Sequence, residues 1–306
     1  MKHKPISNSL RACAFVALAT LGSTASAQSL VTGSELNATV QTLSRLLQES
    51  REGAQQLESR VARVEQKLGI EVITPDENGV MAGSHKYVDL GVRLSDGTPL
   101  YWATQNMGTF NTTATRFGRW YAWGALDGYT GGHMFDWSTY PFMQEGKEDS
   151  QYITKYTVDD LENQAIWYDA QRNFIGDGLT ELLPDDDVVR QKWGGSWRMP
   201  TLEEMQLLID QCDWTWVSIG SSAYGYRVTN RSDSSKYVVL VAGGYWGGDE
   251  HQMATGPESV GYYWTSTLSS ETYMAWSLFF QKGERYMDVM DRASGLFILP
   301  VCTPCK

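Results

Sequence analysis

Few residues in this sequence are spaced for chemistry, and the first candidates are the last ones. Cys302-Thr303-Pro304-Cys305 has the spacing of a dithiol redox pair. Such a pair draws its reactive thiolate from the N-terminus of a helix packed beneath it. Only Lys306 follows Cys305, so no helix is expected there. The expected role is structural: a bond between these two cysteines, or one of them joined to Cys212. His251 beside Asp249 and Glu250 offers metal-ligating types, but adjacent side chains seldom all face one ion, and an exposed polar loop is expected. His133 lies in another glycine-rich loop and His85 near a linker. No H-E-x-x-H or comparable zinc spacing occurs. Asp185–Asp187 after Pro184 offers oxygens of the kind calcium takes. An acidic run there reads better as a helix start or a solvated turn. The sequence therefore predicts no catalytic residue, no metal ligand and no cofactor.

The elements that would position a site are clearer. Thr201 followed by Glu204 is a capping box, and Pro200 precedes the cap. Leu202, Met205, Leu208, Ile209 and Cys212 then fall on one helical face. Trp214 and Trp216 follow at period two, as on one face of a strand. The whole stretch Trp193–Trp216 therefore reads as a core brace. Strands are predicted at Tyr87–Leu90 and Leu100–Thr104, flanking a turn at Ser95-Asp96-Gly97, and an aromatic stretch at Arg119–Trp123. Residues 127–190 read as long loops with one helix around Val158–Tyr168. Tyr224–Thr229 and Tyr237–Val241 form a hairpin across a polar turn at Asn230–Ser235. After a glycine-rich loop at Gly243–Gly256, strands follow at Tyr262–Ser266, Tyr273–Phe280, Arg285–Met290 and Leu296–Val301, with Gly283 at a turn. The class is α+β, with few helices and antiparallel strands towards the C-terminus.

Ahead of this domain the pattern changes. Leu36, Leu43, Leu57 and Val64 occupy one seam position and Val40, Leu47, Ala54, Val61 and Leu68 the other. That is about five heptads, a coiled coil expected to oligomerise as a dimer or trimer. Lys2, Lys4 and Arg11 precede an apolar run at Ala12–Leu21, and Ala25-Ser26-Ala27 is an A-x-A cleavage site. The expected organisation is a signal peptide at 1–27, a coiled-coil helix at 34–69, a linker at 70–82 and a globular domain at 83–306. Export to the periplasm, the cell surface or the medium follows. Cleavage removes three basic residues and no acidic one, moving the formal charge of −11 to −14. Such a surface repels nucleic acid and anionic lipid. Three cysteines remain, so at most one pair forms. Aromatics reach 12% of the 306 residues, with 12 Trp and 16 Tyr, which favours an aromatic core over a sticky face as their main use.

Five motifs stand in order along the globular part: Tyr87-Val88-Asp89-Leu90-Gly91, Leu100-Tyr101-Trp102-Ala103-Thr104, Tyr121-Ala122-Trp123-Gly124, Trp193-Gly194-Gly195-Ser196-Trp197-Arg198-Met199-Pro200-Thr201 and Gly261-Tyr262-Tyr263-Trp264-Thr265-Ser266-Thr267. In these the chain resembles the Fibrobacter succinogenes major paralogous domain family, over roughly residues 87–301. The resemblance implies a C-type-lectin-like fold, related in shape to formylglycine-generating enzymes and similar to the variable proteins diversified by retroelements. It differs from the family at Gln105, where Cys is frequent, and at Leu299, where Arg is usual in the last strand. The E-P-N and W-N-D sugar motifs of calcium-dependent lectins are absent. The resemblance places ligand contacts on the C-terminal strands and their loops. There the candidates are Glu271, Tyr273, Trp276, Arg285, Tyr286, Asp288 and Arg292, with Asp291 beside them. Trp276 shares parity with Leu278 and Phe280, so it is expected to lean inward, while Tyr286, Asp288 and Arg292 are expected outside. The function implied is non-enzymatic binding of a protein or glycan ligand by an exported homo-oligomer. A structural envelope component and a formylglycine-generating type of enzyme are the alternatives.

Overall fold

The computed structural model describes residues 39–46, 48, 50, 80–82, 85–109, 117–220, 223–248, 250–252 and 259–303. The chain divides into two units, 1–62 and 63–306. In the first, residues 39–46 are helical, with Val40, Leu43 and Leu46 exposed. The rest of the 34–69 heptad pattern, the leader at 1–27, most of the linker at 70–82 and Cys305 lie outside the described residues. No described helix is long and apolar enough to cross a membrane.

The second unit is a sheet-rich α+β domain. Its strands are β1 (Val80–Ala82), β2 (His85–Val88), β3 (Tyr101–Ala103), β4 (Trp197–Arg198), β5 (Cys212–Ile219), β6 (Ala223–Asn230), β7 (Asp233–Val241), β8 (Tyr245–Gly247), β9 (Glu250–Gln252), β10 (Gly261–Leu268), β11 (Met274–Gln281), β12 (Glu284–Asp291) and β13 (Val301–Cys302). Its two described α-helices are α1 (Val188–Trp193) and α2 (Leu202–Gln211). Every pairing between named strands is antiparallel, in sheets of order β1-β2-β3-β13-β4, β5-β6-β7, β10-β11-β12 and β8-β9. The first sheet begins inside the segment read as a linker. β13 lies between β3 and β4, so late residues stitch together elements that are far apart in the sequence.

The capping box forms as its residues dictate. Thr201 Oγ1 accepts the Glu204 amide, and the Glu204 carboxylate accepts the Thr201 amide at 2.9 Å. That carboxylate is buried and also takes both terminal nitrogens of Arg198, a two-bond fork between β4 and α2. Met205 and Leu208 then pack into a core with Trp102, Tyr263, Leu278 and Phe280. A second core holds Trp123, Tyr156, Trp197, Trp264 and Leu296. Gly194 and Gly195 have φ of 68° and 59°, a left-handed pair that only glycine adopts cheaply, which explains the Gly-Gly ahead of β4.

Several expectations are corrected. The helix expected around Val158–Tyr168 does not form. Asp160 instead accepts the Glu162 amide and, from across the domain, the Thr272 amide, while Leu161 turns left-handed at φ 72°. Side-chain bonds of this kind offer the backbone an alternative to the helix. The acidic run ends as a cap: Asp187 accepts the Val189 and Arg190 amides of α1 and the Met199 amide. The Arg119–Trp123 stretch makes only single bridges, Trp120 with Tyr129 and Tyr121 with Leu296. The strand expected at Leu296–Val301 is likewise reduced to bridges at Leu296 and Phe297 and to β13. Part of the glycine-rich loop pairs as β8–β9, and His251 lies on β9 opposite Trp246. Leu299 is fully buried, an apolar core contact where the resembled family has Arg.

Cys212 is a free thiol buried at the start of β5, its Sγ 3.7 Å from the Leu90 carbonyl oxygen. The expected alternative of a bond from Cys212 to Cys302 is therefore overturned. Cys302 is buried on β13 in the other core. Burial pushes the Cys212 thiol up to about 12. Iodoacetamide at pH 8 should therefore leave Cys212 unmodified in the folded protein and label it once denaturant is added. Peptide mapping by mass spectrometry reads this directly, and fast labelling under native conditions would contradict the packing described.

Candidate functional site

The three-stranded sheet β10-β11-β12 carries most of the predicted binding residues, and its register sorts them. Phe279 stands opposite Tyr262 on one side and Tyr286 on the other; Ser277 stands opposite Trp264 and Asp288. Opposed residues share a face. The other face carries Phe280 opposite Arg285, Leu278 opposite Tyr263 and Met287, and Trp276 opposite Val289. Tyr263, Leu278 and Phe280 are fully buried in the first core; on the opposite face Trp264, Ala275 and Ser277 are fully buried as well, so that face, called outer below, opens to solvent towards Tyr286 and Asp288. The motif glycine Gly261 belongs to the first-core face: a Cβ on it would sit 2.1 Å from the Phe280 ring.

This sorting separates the predicted residues. Tyr286 and Asp288 lie on the outer face, Tyr286 exposed at 44% and Asp288 half-buried. Trp276 is half-buried on the core-side parity, as its spacing implied. Arg285 is on the inner face, its guanidinium carbon 5.1 Å from the centre of the Trp214 ring. It braces β12 against β5 and is turned away from the outer face. Glu271 is exposed and Tyr273 half-buried just ahead of β11.

Arg292 is the clear correction. It was expected outside and is 0% exposed. Its Nε donates to the Tyr140 hydroxyl at 2.9 Å. Nη1 donates to the Tyr156 and Thr272 carbonyls at 2.8 and 2.6 Å, and Nη2 to the Lys155 carbonyl at 3.0 Å. The Trp123 ring covers it at 4.8 Å. Strand alternation failed as a guide because β12 ends at Asp291, and the chain turns inward at the next residue. Tyr156, whose carbonyl it holds, is left-handed at φ 58°, a cost that surrounding contacts must offset.

The outer face holds more aromatic surface than the sequence listed. Tyr245 on β8, Tyr262 on β10, Phe279 on β11 and Tyr286 on β12 form one row, with successive ring centroids 5.1, 5.1 and 4.9 Å apart. Phe279 is covered by its neighbours, while the three tyrosines retain access to solvent. Burial, followed by the charge and dipole of Tyr245, Asp288 and Tyr286, pushes the Tyr262 phenol up to about 12. It is therefore a neutral hydrogen-bond donor at physiological pH. Tyr245, Tyr262 and Phe279 were missed as site residues. Only the turn register, which places 279 opposite 286, would have found the last of them. Among the described residues, no group of His, Cys, Asp and Glu is arranged to hold a metal ion. His133 stacks on Tyr129 at 3.6 Å and His85 on Trp193 at 3.7 Å. No family model, curated protein or solved structure matches the chain.

Two outcomes follow for the clamp at the end of β12. Replacing Arg292 by Leu leaves four buried acceptors without their donor, so a loss of more than about 3 kcal/mol is expected in urea denaturation. Arg292→Lys should recover only part of it, because an ammonium cannot span the fork. Asp291 is pushed up to about 6 from 3.8, chiefly by burial. The folded state thus holds a proton that the unfolded chain releases, and stability is lost as pH rises from about 4 to 6. Asp291→Asn should therefore stabilise the protein by roughly 1–2 kcal/mol at pH 7.5, with the gain vanishing near pH 4. An equal gain at both pH values would rule out the ionisation of Asp291 as its source.

Proposed function

We propose that this is an exported, non-enzymatic binding protein. In this reading a C-type-lectin-like domain is displayed on an oligomerising coiled coil and presents the outer face of β10–β12 to a ligand at or beyond the cell surface. The observation that carries the reading is the row Tyr245–Tyr262–Phe279–Tyr286. Tyrosine offers large contact area at low rotamer cost together with a polar tip, which suits recognition surfaces. The same face is buried in the second core at Trp264 and Ser277, and the row runs out of that core to solvent at Tyr286, with Asp288 half-buried beside it. The row lies across a sheet face, which favours a protein surface over a glycan as its ligand. The lectin-like part of the proposal rests on the antiparallel sheets, the few helices and the order of the sequence motifs. The oligomeric part rests on the heptads of 34–69, and the exposed Val40 and Leu43 of the helical residues 39–46 are seam positions.

The test compares the full-length protein with Tyr286→Ala on protein and glycan arrays, with melting as a control. Tyr286 is already exposed, so its melting temperature should move by less than about 2 °C, while array signals fall. Sedimentation should show an oligomer that becomes monomeric when 34–69 is deleted. A monomeric full-length protein would remove the display scheme. Empty arrays with co-purification in the cell envelope would favour a structural component. Thiol-dependent oxidation lost in Cys302→Ser/Cys305→Ser would favour an enzyme.

A further inference from the structure

The outer face ends on an open strand. β12 is the last strand of the sheet β10-β11-β12, and among the described residues no strand pairs with its far side. Not one of its residues is buried, whereas β10 and β11 are buried along most of their length. Its hydrogen-bond phase follows from its two ends. The two-residue turn Lys282-Gly283 closes on the pair Gln281–Glu284, and at the other end the Arg292 amide donates to the Tyr273 carbonyl at 3.0 Å. Between these points bonded pairs alternate with unbonded ones. Glu284, Tyr286, Asp288 and Met290 therefore turn their main-chain groups to β11, and Arg285, Met287 and Val289 turn theirs away from the sheet.

A row of outward amides and carbonyls is a template for another strand, and natural edges are blunted by lysine, proline or a bulge. β12 carries none of these. Its blunting is confined to one end, where Asp288 accepts the Val289 amide and the Asp291 carbonyl accepts the Ser294 amide, both at 2.9 Å. Arg285 and Met287 keep both main-chain groups open: among the described residues no bond reaches them from outside the ladder. The side chains beside them define the occupant. Glu284, Tyr286 and Asp288 share the outer face, with Tyr286 the exposed end of the aromatic row. Neither carboxylate forms an ion pair among the described residues; Glu284 accepts from the Gln281 side chain at 2.6 Å and Asp288 from the Val289 amide. Arg285 is turned inward over Trp214, and Lys282 lies in the turn. A second copy of β12 would bring two more carboxylates to this face, and like charges across a strand pair are destabilising. A basic segment matches it instead.

We propose that β12 takes up an extended basic segment of a partner protein as a fourth, antiparallel strand. The proposal rests on the reading of the outer face as a binding surface and names what that face recognises. The segment pairs with the N–H and C=O of Arg285 and Met287; main-chain bonds of this kind supply affinity, and alternate side chains supply specificity. Its outward side chains run basic, aromatic, basic. The cations stand opposite Glu284 and Asp288, and the ring stands opposite Tyr286 and lengthens the row by one strand. An acidic segment is repelled by the same two carboxylates, and the formal charge of −11 on the chain acts in the same sense.

The probe is the end-blocked peptide Thr-Lys-Thr-Tyr-Thr-Lys-Thr, titrated into full-length protein by calorimetry, with amide hydrogen exchange as the structural readout. It should bind, slow exchange at the Arg285 and Met287 amides, and weaken as NaCl rises from about 50 to 500 mM. N-methylation of its two central threonines removes the donors that face β12 and should abolish binding. The same peptide with glutamate for lysine should not bind. Glu284→Gln/Asp288→Asn should melt as the parent does and bind the lysine peptide about tenfold more weakly. The proposal is overturned by no binding at millimolar concentration, by equal binding of the methylated or the glutamate peptide, or by undiminished binding to the double variant. Protection of the same two amides in the protein alone, rising with its concentration, would assign the edge to a second copy and overturn it as well. Array signals that Tyr286→Ala abolishes, together with no peptide binding, would sink strand addition and leave the binding reading standing; empty arrays with no peptide binding would sink both.

Discussion

The guanidinium of Arg292 is the interaction on which the rest of the C-terminal half depends. Its four bonds reach Lys155 and Tyr156 in one long loop, Tyr140 in another, and Thr272 before β11. Its own amide donates to the Tyr273 carbonyl. One side chain thereby fixes where the loop region of 127–190, which has almost no regular structure, meets the sheet. No carboxylate accepts from it; carbonyls, a phenol and aromatic faces surround it instead. Four of its five N–H groups find acceptors and its charge lies over ring faces, which makes a buried cation tolerable. That arrangement is directional, and it fixes the backbone at Thr272 and Tyr273.

The Arg198–Glu204 fork does similar work on the other side. Glu204 is asked to cap α2 and to neutralise Arg198 at once, and it is buried while doing so. Because the helix start and β4 share one carboxylate, α2 can sit in only one rotation about its axis. That rotation sends Met205 and Leu208 into the core beneath β10–β12. With the inner face of the sheet filled in this way, residues of the opposite parity meet the second core at Trp264, Ala275 and Ser277 and reach solvent towards Tyr286. The placement of the aromatic row is therefore a consequence of the capping box as much as of its own strands.

Much of this was legible in the sequence because it is local. The capping box, the helix at 202–211, the hairpin at 223–241 and the strands of 261–291 follow from spacings of two to four residues. The missed parts depend on distant partners. Nothing near Val158–Tyr168 indicates that Asp160 will accept an amide at Thr272, yet that bond and the left-handed Leu161 replace the expected helix. Arg292 read as exposed because alternation was carried one residue past the end of β12. Among the predicted binding residues, Tyr286 and Asp288 share the outer face, while Glu271 and Tyr273 lie ahead of β11, beside the loops of 149–172. The row itself was partly readable. Lys282-Gly283 is a two-residue turn pairing Gln281 with Glu284, which forces Phe279 opposite Tyr286. Tyr245 was not readable, since β8 reaches β10 only through a bridge between Gly244 and Gly261.

The aromatic row and the loops are held by the same hairpin. Tyr273 immediately precedes β11, and Arg292 immediately follows β12. The hairpin that carries Phe279 and Tyr286 is thus anchored to the loops at its open end, while its closed end at Lys282-Gly283 is a two-residue turn. The acidic character of the whole chain, a formal −11, gives it a long-range attraction for basic molecules in general. Long-range charge raises encounter rates without choosing the partner. Choice must come from short-range groups, and in the proposed function these are the rings of the aromatic row.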